Sequence, residues 1–340
     1  MRTIISKIIT LAILPLLLIM LGCKKEYKTI TKINPDGTCE RTFIVTTGAQ
    51  NTNKSVLPLP YDSTWKPYWV QDTASKGDYI LTAKKYFKSY DELTGLYERI
   101  NNPNLIKVNL KIEKRFRWFY TYYNYDEKYK MYNLFNKVPI SKYLTQKELD
   151  NYIAGKKDDS VKVKVNKWEE RNYLEDFIDG YVKAAIKLND PSLSEKIIND
   201  RKEELIRKLA GSKGDTDSMV TQLNSFYKTK SFSKIKDVID KDINSITKRA
   251  ERMGDADGNY INSVSLPGLI VTTNADKIEG NKVSWEFESQ RFTLNDFEMK
   301  AESRVMNVWA VVVSGIAVLL ILTVLLIPVF KRRDNGLSMR

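Results

Sequence analysis

The chain has 340 residues, 42% of them hydrophobic, with 55 lysines and arginines against 42 aspartates and glutamates, a formal charge of +13 and no histidine. This length and apolar content make a folded chain the default and allow one large domain or two smaller ones. The missing histidine excludes Ser-His-Asp and Cys-His catalysis and every His-containing metal site, which leaves acid–base work to carboxylates, lysines, tyrosines or a cysteine.

Residues 1–22 carry Arg2 and Lys7, then an apolar run from Ile8 to Leu21, and Gly22 precedes Cys23. That is the form of a secretory signal peptide. Its ending resembles a bacterial lipobox, which implies that the Cys23 sulfur carries a diacyl lipid, with fatty acids such as palmitate, through a thioether and that the chain is cleaved before Cys23. At about 0.8 kcal/mol per buried methylene, two or three acyl chains would anchor the chain stably. The other reading is an uncleaved leader that serves as an anchor, with Cys23 free. With Cys23 lipidated, the second cysteine, Cys39, has no partner and reads as a small strand residue.

The ectodomain opens with β-rich sequence over residues 23–140. Asn34-Pro35-Asp36-Gly37 is a turn between β-branched runs and predicts a hairpin. Further strands are expected over 64–71, where Pro67 allows only an edge, and over 78–87. Ser89 and Glu92 form a capping box before a helix whose buried stripe is Leu93, Leu96, Tyr97 and Ile100. Residues 106–125 read as one long strand, with Val108, Leu110 and Ile112 on a face continued by Phe116, Trp118, Tyr120 and Tyr122. This aromatic band is either a surface for acyl chains, glycan rings or a partner, or the covered face of a central strand.

Residues 141–252 change to helical periodicity. Thr145 and Glu148 form a second capping box, Leu174, Phe177, Ile178, Tyr181 and Ala185 a clean stripe, and Asp190-Pro191 a helix start. Stripes at Met219–Phe226 and Phe232–Ala250 complete four or five amphipathic helices, a small bundle inserted between β regions. Strand character returns over residues 253–307, with a hairpin turning at Gly280-Asn281 and Trp285 and Phe287 on one side. Residues 308–330 carry no charge and, at about 1.5 Å per residue, reach about 34 Å, enough to cross a membrane. Lys331-Arg332-Arg333 opens the tail 331–340 and places it in the cytoplasm. Lipidation at Cys23 would put the ectodomain on the outer face of the same cytoplasmic membrane. Nucleic acid is then not an expected partner.

Several of these pieces resemble the LppM-type lipoprotein domain family: the lipobox, Asn34-Pro35-Asp36-Gly37, then Pro267-Gly268, Asn274, Gly280-Asn281, Val283 and Trp285, and the single C-terminal helix. The resemblance covers the two β regions and both anchors, not residues 141–252. It implies an α+β extracytoplasmic domain in contact with lipid or envelope components, with no catalytic set and no cofactor. Asp255-Ala256-Asp257-Gly258 is too short for a calcium loop, and the adjacent pairs Asp158-Asp159 and Glu169-Glu170 cannot face one another on one helix.

The expected architecture is therefore α+β, a mainly antiparallel sheet with an inserted helical bundle and one transmembrane helix. The expected function is a non-enzymatic, single-pass envelope lipoprotein that binds lipid or an envelope protein. Trp118, Tyr120, Tyr122 and Trp285 are the candidate contact residues, and no metal or cofactor is expected. A hydrolase or transferase using carboxylates brought together by folding is one alternative. A structural part of an envelope assembly or secretion complex is the other.

Overall fold

The computed structural model describes residues 25–337, apart from 48–58, 60, 72–78, 101, 103–104, 134, 157 and 212–213. The leader and Cys23 lie outside the described residues. Mixed α+β structure is present, with two sheets facing one another across a shared core.

The first sheet starts from the hairpin of β1 (Glu26–Ile33) and β2 (Cys39–Thr47). Its turn closes with the Asn34 amide donating to the Thr38 carbonyl at 3.0 Å, while Gly37 takes φ 101°. Cys39 is buried at the start of β2, and burial pushes its thiol up to about 12. The edge strand β3 covers only Tyr68–Gln71 and pairs with β4 (Tyr79–Phe87). Helix α1 (Tyr90–Arg99) has the Ser89 side chain as its N-cap and buries Leu93, Leu96 and Tyr97.

Where one long strand was expected over 106–125, there are two, β5 (Val108–Phe116) and β6 (Tyr120–Tyr129), paired antiparallel around a turn at Arg117–Phe119. No Gly, Pro, Asn or Asp marks that turn, so the alternation of side chains runs through it unbroken.

Between β6 and the next strand come α2 (Gln146–Ile153), α3 (Asp159–Ile186), α4 (Glu195–Asp200), α5 (Lys202–Leu209), α6 (Thr216–Tyr227) and α7 (Lys236–Asp255). The Thr145–Glu148 capping box is formed at α2. The expected stripe of α3 packs with Leu205, Leu223, Phe232 and Ile239 in a core separate from that between the sheets. Fully buried Asn172 of α3 accepts from the Val138 amide at 2.9 Å, and the Trp168 indole donates to the Val138 carbonyl at 2.7 Å, which ties the helices to the segment following β6.

The chain then forms β7 (Asn259–Ser265), β8 (Leu269–Thr273), β9 (Lys277–Glu279), β10 (Lys282–Glu288), the short helix α8 (Gln290–Thr293) and β11 (Phe297–Met306). The first sheet has the order β3-β4-β2-β1-β7-β10-β9, antiparallel except for the parallel pair β1–β7, and the second the order β5-β6-β11-β8. Helix α9 (Val308–Leu337) follows β11 after one residue.

This topology gives the domain two poles. At one, β1 and β7 begin side by side, with the Asn259 amide on the Lys25 carbonyl at 2.9 Å, and β6 ends where the helical segment departs. At the other, β11 ends and α9 begins. The ten residues of β11 from Phe297 to Met306 span about 30 Å of chain.

The sheets are joined by a buried ion pair. Arg41 of β2 donates to Glu127 of β6, and both side chains are wholly inaccessible to solvent. Glu127 also accepts from Asn262 of β7 at 2.7 Å and from the Tyr125 hydroxyl, and the guanidinium lies over the Tyr97 ring at 5.0 Å. Burial works against the charge on Arg41, but Glu127 outweighs it, so the group titrates well above its usual range. Glu127→Ala leaves that charge unpaired and should cost about 3–5 kcal/mol, whereas the double change Arg41→Met, Glu127→Leu should cost much less. Denaturant unfolding of the three proteins checks this, and equal losses for the single and double variants would contradict it.

Candidate membrane-proximal collar

The turn Arg117–Phe119 acquires its shape from Asn307, the residue that links β11 to α9. The Asn307 amide donates to the Phe119 carbonyl at 2.8 Å, and its side-chain nitrogen donates to the carbonyls of Arg117 at 2.7 Å and Trp118 at 3.1 Å. Its side-chain oxygen accepts from the Thr121 hydroxyl at 2.9 Å. An asparagine at this position would ordinarily cap the helix with its side chain. Here the side chain holds the turn, and only its carbonyl accepts the first helical amide, from Ala310 at 2.9 Å.

Aromatic side chains extend this lock along the helix. Trp118 donates its indole N–H to Ser314 Oγ at 2.9 Å and meets Trp309 edge-on, with centroids 5.2 Å apart. Phe116 stacks on Trp309 with centroids 6.2 Å apart. Ser314 is the seventh residue of α9, so the indole reaches about 10 Å along the helix axis. Phe116, Trp118, Phe119, Leu269, Met306 and Trp309 are all exposed around this junction. The helix beyond is long and apolar enough to cross a membrane over Val308–Leu326, with 6% of that window buried against the domain. Trp and Tyr at such a boundary are the usual furniture of a water–lipid interface.

Of the expected contact residues, Trp118, Tyr120 and Tyr122 come together here. Arg304 lies over the Tyr120 ring at 4.6 Å, and Tyr120 is 6.4 Å from Tyr122. Both tyrosines are half-buried on the outward face of β6, whereas Tyr123, Tyr125 and Tyr129 point into the core. Trp285 does not belong with them. It is 1% exposed, packs on Tyr125 at 6.3 Å and donates to Asn274 Oδ1 at 2.9 Å, so it has no face for lipid or ligand. Its hairpin is close to the helix in sequence, but β11 intervenes, and the β5–β6 turn lies against the helix instead.

The remaining residues of the sequence resemblance are joints as well. Asn274 bonds β11 through the Lys300 amide at 2.8 Å and the Glu298 carbonyl at 2.8 Å, so it links Trp285 of one sheet to the other sheet. Gly268 has φ +78° and lies so close to β11 that a Cβ would sit 2.2 Å from the Arg304 carbonyl. Pro267 accepts from the buried Ser303 hydroxyl at 2.7 Å.

The opposite pole carries a cleft of about 370 Å³ between Ile153–Gly155 and the ends of β7 and β10, faced by Glu26, Glu286, Glu288 and Arg291. Nearby on α3, burial and then Asp257 raise the Glu169 carboxyl from 4.5 to about 7. Its neighbour Glu170 turns away and accepts from the Gly211 amide at 2.7 Å, and Asp158 is spent as the N-cap of α3. Neither adjacent pair acts as a pair. Among the described residues, no three acidic or thiol side chains converge in a way that could hold a metal ion.

No family model and no curated protein matches the chain. Among solved structures, the NMR structure of the folded domain of Mycobacterium tuberculosis LppM is similar at a TM-score of 0.33 and 12% identity, over 84% of this chain and 92% of that one. No assignment to a family follows from a likeness at that score.

Two expectations follow from these sites. Asn307→Ala removes three hydrogen bonds from the junction, and amide exchange over residues 117–121 should accelerate about tenfold or more while the sheet core keeps its protection. Unchanged exchange there would show that the aromatic contacts alone hold the turn. For Glu169, the folded form binds its proton more tightly than the unfolded form, so the associated stability is complete below pH 4.5 and is lost as pH rises towards about 7. Glu169→Gln should abolish that slope and leave the variant on the order of 1–2 kcal/mol more stable relative to wild type at pH 8 than at pH 4. Parallel melting curves across this range would contradict the raised carboxyl.

Proposed function

We propose that the chain is a non-enzymatic envelope lipoprotein that works at the outer face of the cytoplasmic membrane, held there by acyl chains on Cys23 and by α9, and that it binds lipid or an envelope protein. The observation that carries this reading is the junction of Asn307, Trp118, Trp309 and Ser314, which fastens the second sheet to the base of an apolar helix. A flexible tether would anchor a domain equally well. A rigid junction suits a domain whose task depends on its position at the lipid surface. The outward face of the second sheet is poorly suited to contact, since Arg115–Glu302, Lys128–Glu298 and Lys300–Glu298 neutralise one another.

A second reading is favoured by one observation. Glu169, raised to about 7 beside Asp257, has the character of a general acid at neutral pH, and that suits a carboxylate-dependent hydrolase or transferase. Loss of turnover on envelope material in Glu169→Gln would support that reading over the first.

The test of the first reading uses the full chain in vesicles containing brominated lipid. Quenching of tryptophan emission should fall by most of its amplitude in Trp118→Phe, Trp309→Phe, because the buried Trp65, Trp168 and Trp285 are shielded and the half-buried Trp69 lies on an edge strand of the first sheet, away from the collar. Undiminished quenching in that variant would place the lipid contact elsewhere. Fatty-acid labelling that is lost in Cys23→Ala tests the N-terminal anchor separately.

A further inference from the structure

Helix α7 presents a face made only of basic and neutral polar groups. Lys241, Asn244, Ser245, Lys248, Arg249 and Arg252 recur at spacings of three and four and line an open groove of about 500 Å³. Arg249 is engaged with Asp176 at 2.9 Å. Lys241, Lys248 and Arg252 are exposed, and no salt bridge to them is formed among the described residues. Some surface cations on other helices are paired, as in Lys137–Asp179, Arg171–Glu203 and Lys202–Glu175, whereas here three stand together on one face with no carboxylate among them. Over the twelve residues from Lys241 to Arg252 the unpaired charges occupy about 17 Å of helix.

The last turn of α7 lies against the first described residues of the chain. Lys25 Nζ is 3.2 Å from Asp255, the Tyr27 hydroxyl donates to the Asp255 carbonyl at 2.5 Å, and the Asn259 amide donates to the Lys25 carbonyl at 2.9 Å. Cys23 is two residues before Lys25, at most about 7 Å of chain. This end of the domain is the pole opposite α9. A chain held in one bilayer at both Cys23 and α9 therefore cannot stand upright on its helix, because two residues cannot cover the length of the sheets. It must lie with its strands along the lipid surface, and the C-terminal half of α7 comes down with the N-terminal anchor.

We propose that the basic face of α7 is a docking surface for the anionic headgroups of the bilayer that carries both anchors, with Lys241, Lys248 and Arg252 as the groups that meet lipid phosphate. This rests on lipidation of Cys23 in the reading above. The occupant follows from charge complementarity and from the short reach between α7 and Cys23. Each such cation near an anionic membrane contributes about 1 kcal/mol and loses it with salt. The Asn307 junction fixes the domain relative to α9, and the face then sets how that rigid unit tilts against the bilayer.

The test places the full mature chain in phosphatidylcholine vesicles and in vesicles with about a third phosphatidylglycerol, and measures acetylation rates of individual lysines. Lys241 and Lys248 should react about threefold or more slowly in the anionic vesicles, recover in high salt, and lose their protection in Cys23→Ala, while Lys111 on the outer face of the second sheet keeps its rate. Mass spectrometry of the N-terminal peptide separates the two ways of failing. An unacylated Cys23 overturns the double-anchor reading, and an acylated Cys23 without protection at Lys241 and Lys248 overturns the docking surface alone. Protection of these lysines by soluble polyphosphate on neutral vesicles, with none from phosphatidylglycerol, would also overturn it and assign the face to a phosphate polymer. Lys241→Gln, Lys248→Gln, Arg252→Gln should abolish the dependence of domain orientation on phosphatidylglycerol, read by energy transfer from the domain to a lipid dye. Persistence of that dependence would count against the proposal.

Discussion

The contact between the two sheets depends on one charged pair sealed inside it. Arg41 and Glu127 come from different sheets, and each would be severely destabilising without the other. An apolar pair could fill the same space under looser geometric rules. The guanidinium and carboxylate, with Asn262, Tyr125 and the face of Tyr97, admit one relative placement of β2, β6, β7 and α1. The rings around them, Tyr27 on Tyr260 at 4.8 Å and Tyr260 on Phe287 at 5.5 Å, then supply burial on both sides of a registered joint.

That placement is what carries position from α9 into the rest of the domain. β11 enters α9 through Asn307, β6 lies beside β11, and Glu127 on β6 holds Arg41 on β2. Asn274 makes a second bridge between the sheets by way of Trp285. The direction in which α9 leaves the second sheet therefore fixes the first sheet as well, and through the parallel β1–β7 pair it fixes the base of the helical segment. A domain joined in this way transmits the direction of α9 to features far from it.

Residues with local signatures were legible from sequence. Asn34-Pro35-Asp36-Gly37 forms its turn with hydrogen bonds between neighbours, the Thr145–Glu148 box closes within four residues, and the α3 stripe needs only helical spacing. The α+β class follows from such signals. What escaped is held by distant partners. The Arg117–Phe119 turn carries no turn residue of its own because its carbonyls are satisfied by Asn307, nearly 190 positions away. Of the candidate site, Trp118, Tyr120 and Tyr122 were visible as aromatic alternation, whereas Asn307, Trp309 and Ser314 each look unremarkable in isolation. Trp285 misled because an indole near the helix in sequence is not near it in space when another strand, β11, lies between. Its buried N–H has its own partner in Asn274, a pairing invisible without the fold.

The two poles turn this architecture into a constraint on membrane attachment. With a single anchor at α9, the aromatic collar is the only part of the domain obliged to meet lipid, and the acidic cleft and α7 stand about 30 Å away. With a second anchor two residues before Lys25, that distance lies along the membrane instead of away from it. The collar then meets lipid at one end and the basic face of α7 at the other, and the charge-neutralised face of the second sheet has no part in the contact. The layout of α7 then has a physical reason, since its charges balance over Lys236–Asp255 as a whole yet Lys241, Lys248 and Arg252 gather on one face, which favours an anionic surface. The helical segment, absent from the sequence resemblance, is on this argument the part that determines how the sheets lie.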